Sequence, residues 1–141
     1  MSVTSSASQG AKRRTILHIE DNLANLALME GVIEQLGGVD LIPAMRGAVG
    51  FELAREQRPD LVVLDLHLPD VSGLDVLARL KADGSTREIP VVVLTADASR
   101  SQSDRVRRLG AVEYLTKPID VPMFLDVVVK HLDVTRPRDG G

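Results

Sequence analysis

Apolar residues in this chain fall into short blocks, and the blocks alternate between two spacings. Short, mainly apolar segments over 15–19, 39–44, 62–65, 90–95 and 112–116 have the length of strands. Between them the spacing widens to three and four. Leu23, Leu26, Ala27, Ile33 and Leu36 predict a first helix that Gly37-Gly38 stops, and 48–57, 72–82, 101–109 and 121–132 predict four more. Five strands alternating with five helices require right-handed crossovers and a parallel sheet, so the fold class is α/β, doubly wound. Pro90-Val91-Val92-Val93-Leu94-Thr95 is apolar on successive residues and needs cover on both faces. Pro43, which has no N–H to donate, puts the second strand at an edge. The helix over 101–109 has only Val106 and Leu109 as strongly apolar residues, and is expected to be the least firmly packed and to move.

Polar groups punctuate the strand ends. Glu20-Asp21 follows the first strand, Asp65 closes the third, Thr95 the fourth, and Lys117 follows the fifth. Each has an ordinary reading alone: helix cap, loop cap before Pro69, strand residue, solvated charge. Together they point to one place, because ligands of an open parallel sheet bind beyond the carboxyl ends of its strands. Three carboxylates there repel, each close pair by roughly 4 kcal/mol at 4 Å with an effective dielectric near 20. They call for a cation, and oxygen ligands with water left over suit Mg2+. Asp65 is then the candidate nucleophile for a phosphoryl group, forming an acyl phosphate by in-line attack, with Thr95 donating to one phosphoryl oxygen and Lys117 pairing with another.

Composition narrows the setting. The chain has 141 residues, 44% hydrophobic, enough for one domain over 14–132 flanked by a disordered tail over 1–13 and a flexible tail over 133–141. A net charge of -3 gives no global basic surface for nucleic acid or anionic lipid. Zero cysteines exclude disulfides, thiolate metal sites and a thiol nucleophile. Aromatic residues at 2% leave no stacking platform for bases or flat cofactors. With no apolar run of membrane-spanning length and no leader-like start, the expectation is a soluble cytoplasmic protein. Nothing after 132 has the composition of an output domain, so output is expected through protein contacts.

The chain resembles the receiver domain of two-component response regulators over about 14–132. The acidic pair Glu20-Asp21, Asp65 with Pro69 and Gly73 four and eight residues on, Thr95-Ala96, and Lys117-Pro118 carry the likeness. Strand order 2-1-3-4-5, the flavodoxin-like order, comes with that resemblance. So do the roles. Asp21, Asp65 and the backbone carbonyl of His67 would bind Mg2+ directly, with Glu20 acting mainly through water. Asp65 would take phosphate from a histidine kinase or histidine phosphotransfer protein. Thr95 would swing toward the phosphoryl group as Tyr114 turns inward, altering a protein-binding face made by the fourth helix, fifth strand and fifth helix. His67 and Asp97, each two residues past a site residue, would set the phosphate lifetime. Glu-Asp-Asn-Leu-Ala-Asn and Tyr-Leu-Thr-Lys-Pro look most like receivers of hybrid sensor kinases, so a module from a larger kinase is one alternative, and a homodimer through the fourth-helix face is compatible with the pattern.

Rival functions want residues that stand differently here. An aspartyl-phosphate phosphatase would want a carboxylate general acid two residues after the nucleophile, where this chain has His67. A flavin carrier would want a phosphate-cradling loop after the first strand, where Glu20-Asp21 would repel it. An inert adaptor of the same fold would lack one of the acidic residues or the lysine. The leading expectation is therefore a phosphorylation-controlled signalling module with at most slow autodephosphorylation, not an enzyme. His18 and His131 read as structural, the first in a strand and the second as a late-helix cation.

Overall fold

The computed structural model describes residues 13–133. The expected tails lie outside the described residues except for Arg13 and Asp133. Arg13 is tied down at the domain's edge by a two-pronged pair with Asp40, at 2.9 and 2.7 Å.

Strands and helices alternate along the chain: β1 Arg14–Ile19, α1 Leu23–Ile33, β2 Val39–Ala44, α2 Gly47–Gln57, β3 Leu61–Asp65, α3 Gly73–Ala82, β4 Val91–Thr95, α4 Arg100–Arg108, β5 Glu113–Thr116 and α5 Val121–Leu132. The sheet is parallel in the order β2-β1-β3-β4-β5, as the resemblance implied. Pro43 lies on edge strand β2 opposite His18, where its missing N–H costs no ladder bond to a second neighbour.

Alternation along the strands divides the core in two. Ile16, Leu61, Val63, Val92 and Leu94 pack toward Met29, Val32 and Ile33 of α1 and toward Phe124 and Val128 of α5. Leu17, Ile19, Val62, Leu64, Val91 and Val93 face Phe51 and Ala54 of α2, Val76, Leu77 and Leu80 of α3, and Val106 of α4. Every residue of β3 and β4 is buried, as strands covered on both faces require.

Helix boundaries are set by caps. Asn22, Ser72, Ser99 and Asp120 each accept a backbone N–H in the first turn of α1, α3, α4 and α5. Ser72 is therefore the cap of α3 and not its first residue. α1 is shorter than its periodicity suggested, ending at Ile33 and passing through a turn in which Leu36 N–H reaches Ile33 O. Its buried stripe is Met29, Val32 and Ile33, while Leu23 is 70% and Leu28 52% exposed. This helix is apolar on its outer side as well as its inner one. α4 buries Val106 alone, the weak anchorage its sequence predicted.

Candidate functional site

The three expected carboxylates meet. Glu20 is the first residue past β1, with its backbone N–H on the Ala44 carbonyl at 2.8 Å. Asp65 ends β3, adjacent to β1. Ligand oxygens of Glu20, Asp21 and Asp65 lie within 4.8 Å of one another, with Glu20 and Asp65 buried and Asp21 exposed.

Lys117 arrives from the far side of β4. Its backbone N–H bonds the Thr95 carbonyl at 2.8 Å, which fixes the loop after β5 against the end of β4. The Lys117–Pro118 peptide there is cis. The Lys117 ammonium donates to Glu20 Oε1 at 3.0 Å and to Asp65 Oδ2 at 3.2 Å. Three carboxylates and one ammonium leave two formal negative charges, which a divalent ion would balance. This all-oxygen carboxylate set fits Mg2+.

The remaining oxygens are oriented by backbone. Asp65 Oδ1 accepts from His67 N–H at 3.1 Å and Glu20 Oε2 from Asn22 N–H at 3.2 Å. The loop after Asp65 passes under the start of α3, where a Cβ on Gly73 would stand 2.4 Å from Leu66 Cα and 2.7 Å from the Asp65 carbonyl. Only glycine admits that approach, which accounts for its place eight residues after Asp65.

Electrostatics follow the geometry. Burial pushes the Glu20 carboxyl up, against the Lys117 hydrogen bond that pulls it down, and the neighbouring Asp65 charge adds to the rise. Burial alone would lower the Lys117 ammonium, but Glu20 and Asp65 outweigh it and its pKa is raised.

Thr95 is fully buried at the end of β4, and its Oγ1 accepts from Asp97 N–H at 3.1 Å. The Tyr114 hydroxyl donates to the carbonyl of the same Asp97. One residue thus bridges the two expected switch side chains through its two backbone groups. The Asp97 carboxylate accepts from Ser99 N–H at 2.8 Å. Hydrogen bonds from the Ser99 backbone and hydroxyl hold it below the ordinary carboxylate range, with a smaller contribution from the nearby charge of His67. His67 and Asp97, both exposed, are therefore within electrostatic reach of one another at the mouth of the site.

Two participants were not legible from motif spacing. Asp70 accepts from Gly47 N–H at 2.8 Å and Ala48 N–H at 3.0 Å, capping α2 from the loop after β3 on the same face of the sheet, where Arg46 at the cap position provides no side-chain bond. It docks the loop that follows Asp65 onto a second helix. His18, expected to be structural, is 1% exposed with neither ring nitrogen hydrogen-bonded, and with Glu20, Asn25, Met29 and Lys117 it lines a cavity of about 90 Å³. Burial first, and the Lys117 charge second, push its pKa down to about 4. Its ring is accordingly neutral, so its 4.0 Å approach to Glu20 is not an ion pair.

Comparison with known proteins shows the family to which the fold belongs. The sequence profile of the response regulator receiver domain matches residues 16–129. The chain belongs to the response regulator receiver family. A polar-differentiation response regulator, DivK, of Brucella anthropi is 40% identical over 119 residues, covering 84% of this chain and 96% of that protein. Among solved structures, the receiver domain of a LuxO repressor protein from Vibrio parahaemolyticus superposes with a TM-score of 0.80 at 27% identity, covering 86% of this chain and 91% of that one. The receiver domain of a sensor histidine kinase from Pseudomonas aeruginosa, described with magnesium coordinated in its active site cleft, gives 0.78 at 25% identity, covering 86% and 98%. Receivers are signalling modules of two-component systems and bind Mg2+ in their acidic pocket, and this receiver has such a cluster. Among the described residues no helix is long and apolar enough to cross a membrane.

Proposed function

We propose that Asp65 is a phosphoacceptor whose acyl phosphate switches a protein-binding surface. The observation that carries this reading is Lys117 bridging Glu20 and Asp65 with Asp21 inside the same 4.8 Å cluster. A structural carboxylate would need no second and third carboxylate brought against it.

The donor is a histidine kinase or a histidine phosphotransfer protein. A carboxylate oxygen of Asp65 attacks phosphorus in line, an O–P bond forms, the N–P bond to the donor imidazole breaks, and that imidazole leaves with the electron pair and takes up a proton. Asp21, Asp65 and the His67 carbonyl would hold Mg2+, with Glu20 acting mainly through water, as the family likeness implies. When bound, the ion neutralises charge on the phosphoryl oxygens. Lys117 gives up one of its carboxylate contacts to pair with a phosphoryl oxygen. Thr95 keeps an acceptor position for Asp97 N–H and turns its own hydrogen toward another oxygen. Because Asp97 also holds the Tyr114 hydroxyl, a shift at Thr95 reaches β5 and the start of α4 through one residue. The altered surface is the outer face of α4, β5 and α5, and His67 and Asp97 at the mouth set a slow autodephosphorylation rate.

The test is acetyl phosphate or beryllofluoride with Mg2+. The native chain should gain the mass of one phosphoryl group with acetyl phosphate, and Asp65→Asn should not. Tyr114 is the chain's only tyrosine and there is no tryptophan, so its fluorescence reports the beryllofluoride response without labelling. Mass gain in the Asn variant equal to that of the native chain would overturn the assignment.

A further inference from the structure

We propose that the outer face of α4 is a docking surface for an acidic segment of a partner protein. The proposal deepens the reading above, since it names the chemistry that the switched surface recognises and rests on that reading for its control by phosphorylation.

Arg100, Arg105, Arg107 and Arg108 are all exposed, and Val106 is the helix's single buried residue. At about 100° per residue, the four arginines fan over roughly 160° centred opposite Val106. The solvent side of this helix is therefore a guanidinium face. Asp104 is the only acid on the helix. It is spaced four residues from both Arg100 and Arg108, yet among the described residues it forms no ion pair with either. Four arginines against one aspartate make this a basic patch on a chain whose net charge is -3.

Helix stability does not account for all of it. Arginines in the last turn complement the negative end of the helix dipole, which covers Arg105, Arg107 and Arg108. Arg100 stands at the first position, where a cation meets the positive end and costs stability. A binding role gives it a reason to be there. Guanidinium groups pair in a fork with carboxylates, and arginine is enriched where protein surfaces meet. Asp104 within the fan disfavours a polyphosphate backbone, which has only negative charge to offer, and 2% aromatic content gives no stacking contact with bases. A protein segment rich in Asp and Glu is the occupant that this charge pattern complements.

The face is wired to the site. Ser99 caps α4, its N–H rests on the Asp97 carboxylate, and Asp97 holds both Thr95 and Tyr114. With one buried side chain to anchor it, α4 can re-aim the arginines when Thr95 moves.

The experiment measures fluorescence anisotropy of a labelled Glu/Asp-rich peptide against the full chain in Mg2+, with and without beryllofluoride. One variant combines Arg100→Gln, Arg107→Gln and Arg108→Gln. A control combines Arg46→Gln, Arg58→Gln and Arg87→Gln, removing equal charge from exposed positions outside the α4, β5 and α5 face. The expected result is peptide binding that weakens at least tenfold in the α4 variant and less than twofold in the control, with at least a threefold change on adding beryllofluoride. Equal weakening in both variants, no binding by the native chain, no effect of beryllofluoride on affinity, or tighter binding to duplex DNA or phosphatidylserine vesicles at the same salt would overturn it. Tyr114 fluorescence separates the two readings. A beryllofluoride response without peptide binding sinks this proposal alone, and an absent response sinks the phosphoacceptor reading whatever the peptide does. The α4 variant must keep the Tyr114 response, which excludes misfolding as the cause of lost binding.

Discussion

Lys117 Nζ stands 3.2 Å from Asp65 Oδ2 although β5, which Lys117 follows, and β3, which Asp65 ends, are separated by the whole of β4. The lysine reaches over the end of the sheet to do so. This contact sets the charge state of the pocket, because the same ammonium is 3.0 Å from the almost fully buried Glu20.

Replacing Lys117 with Met leaves two buried carboxylates without their counter-charge. Stripping one partner from a buried pair costs about 3–5 kcal/mol. A quarter of the Lys117 side chain is exposed, so solvent screening reduces the expected loss to roughly 1–3 kcal/mol. Saturating Mg2+ should restore most of it by taking the lysine's electrostatic place, while phosphorylation stays lost. Urea unfolding in EDTA and in Mg2+ checks this, and a loss indifferent to Mg2+ would mean the carboxylates do not form one charge site.

His18 gives a pH dependence with a definite sign. Its folded value of about 4 lies below the ordinary 6.5, so between those values the unfolded chain takes up a proton that the fold refuses. Stability from this residue is fully present above pH 6.5 and is lost as pH falls toward 4, by up to about 3 kcal/mol. The charged groups acting on the ring are Lys117, which lowers its pKa, and Asp65, which raises it, with Glu20 4.0 Å away. Glu20 itself works the other way, since its raised folded pKa means that acidification relieves its burial penalty. The difference between native and His18→Val chains isolates the imidazole. Urea midpoints at pH 7.5 and pH 5 should converge on acidification in favour of the variant, and parallel shifts would refute the assignment.

Tyr114→Phe removes one hydroxyl and hence one of the two holds on the Asp97 backbone. The stability cost is that of one hydrogen bond, about 0.5–1.5 kcal/mol. If the loop must release Tyr114 before Thr95 can turn, the variant skips that cost and binds beryllofluoride several-fold more tightly. Titration calorimetry reads this directly, since the variant has no fluorophore. Weaker binding would instead make the tyrosine hydroxyl a support of the activated state.

What the sequence disclosed and what it hid have a common cause. Glu20, Asp65, Thr95 and Lys117 were legible because each closes an apolar strand, and a parallel sheet sends all its strand ends to one side. The alternation of blocks also disclosed the two-layer core and the weak anchorage of α4. The buried stripe of α1 was not legible, because a helix with Leu23, Leu26, Leu28, Met29, Val32 and Ile33 presents apolar residues on every side, and periodicity cannot choose among them. The long-range partners were hidden for another reason. Asp70 and Ala48 of α2 are separated by 22 residues, and a carboxylate after a proline looks the same whether it faces water or caps a helix distant in sequence.

That Asp70 contact supplies the most specific test of how the site loop is held. Both carboxylate oxygens take N–H groups of α2, and these bonds keep the Asp70 carboxyl below its ordinary range, led by the one from Ala48. Val71 packs beside them, since a Cβ on Gly47 would lie 2.4 Å from Val71 Cγ2. The loop therefore rests on α2 through the two Asp70 hydrogen bonds and the packing of Leu68 and Val71 at Gly47, and it carries the His67 carbonyl proposed for Mg2+. Asp70→Ala removes the cap and should raise the unfolding constant by roughly fivefold, the scale of a lost N-cap. Asp70→Asn keeps one acceptor and should fall between. If the loop's position governs the ion site, Mg2+ affinity measured by Tyr114 fluorescence should weaken several-fold in the order native, Asn, Ala. A series in which stability drops while Mg2+ affinity holds constant would show that the cap serves α2 alone and that the His67 carbonyl is placed by the Gly73 N–H bond to Leu66 O at 3.0 Å and the His67 N–H bond to Asp65.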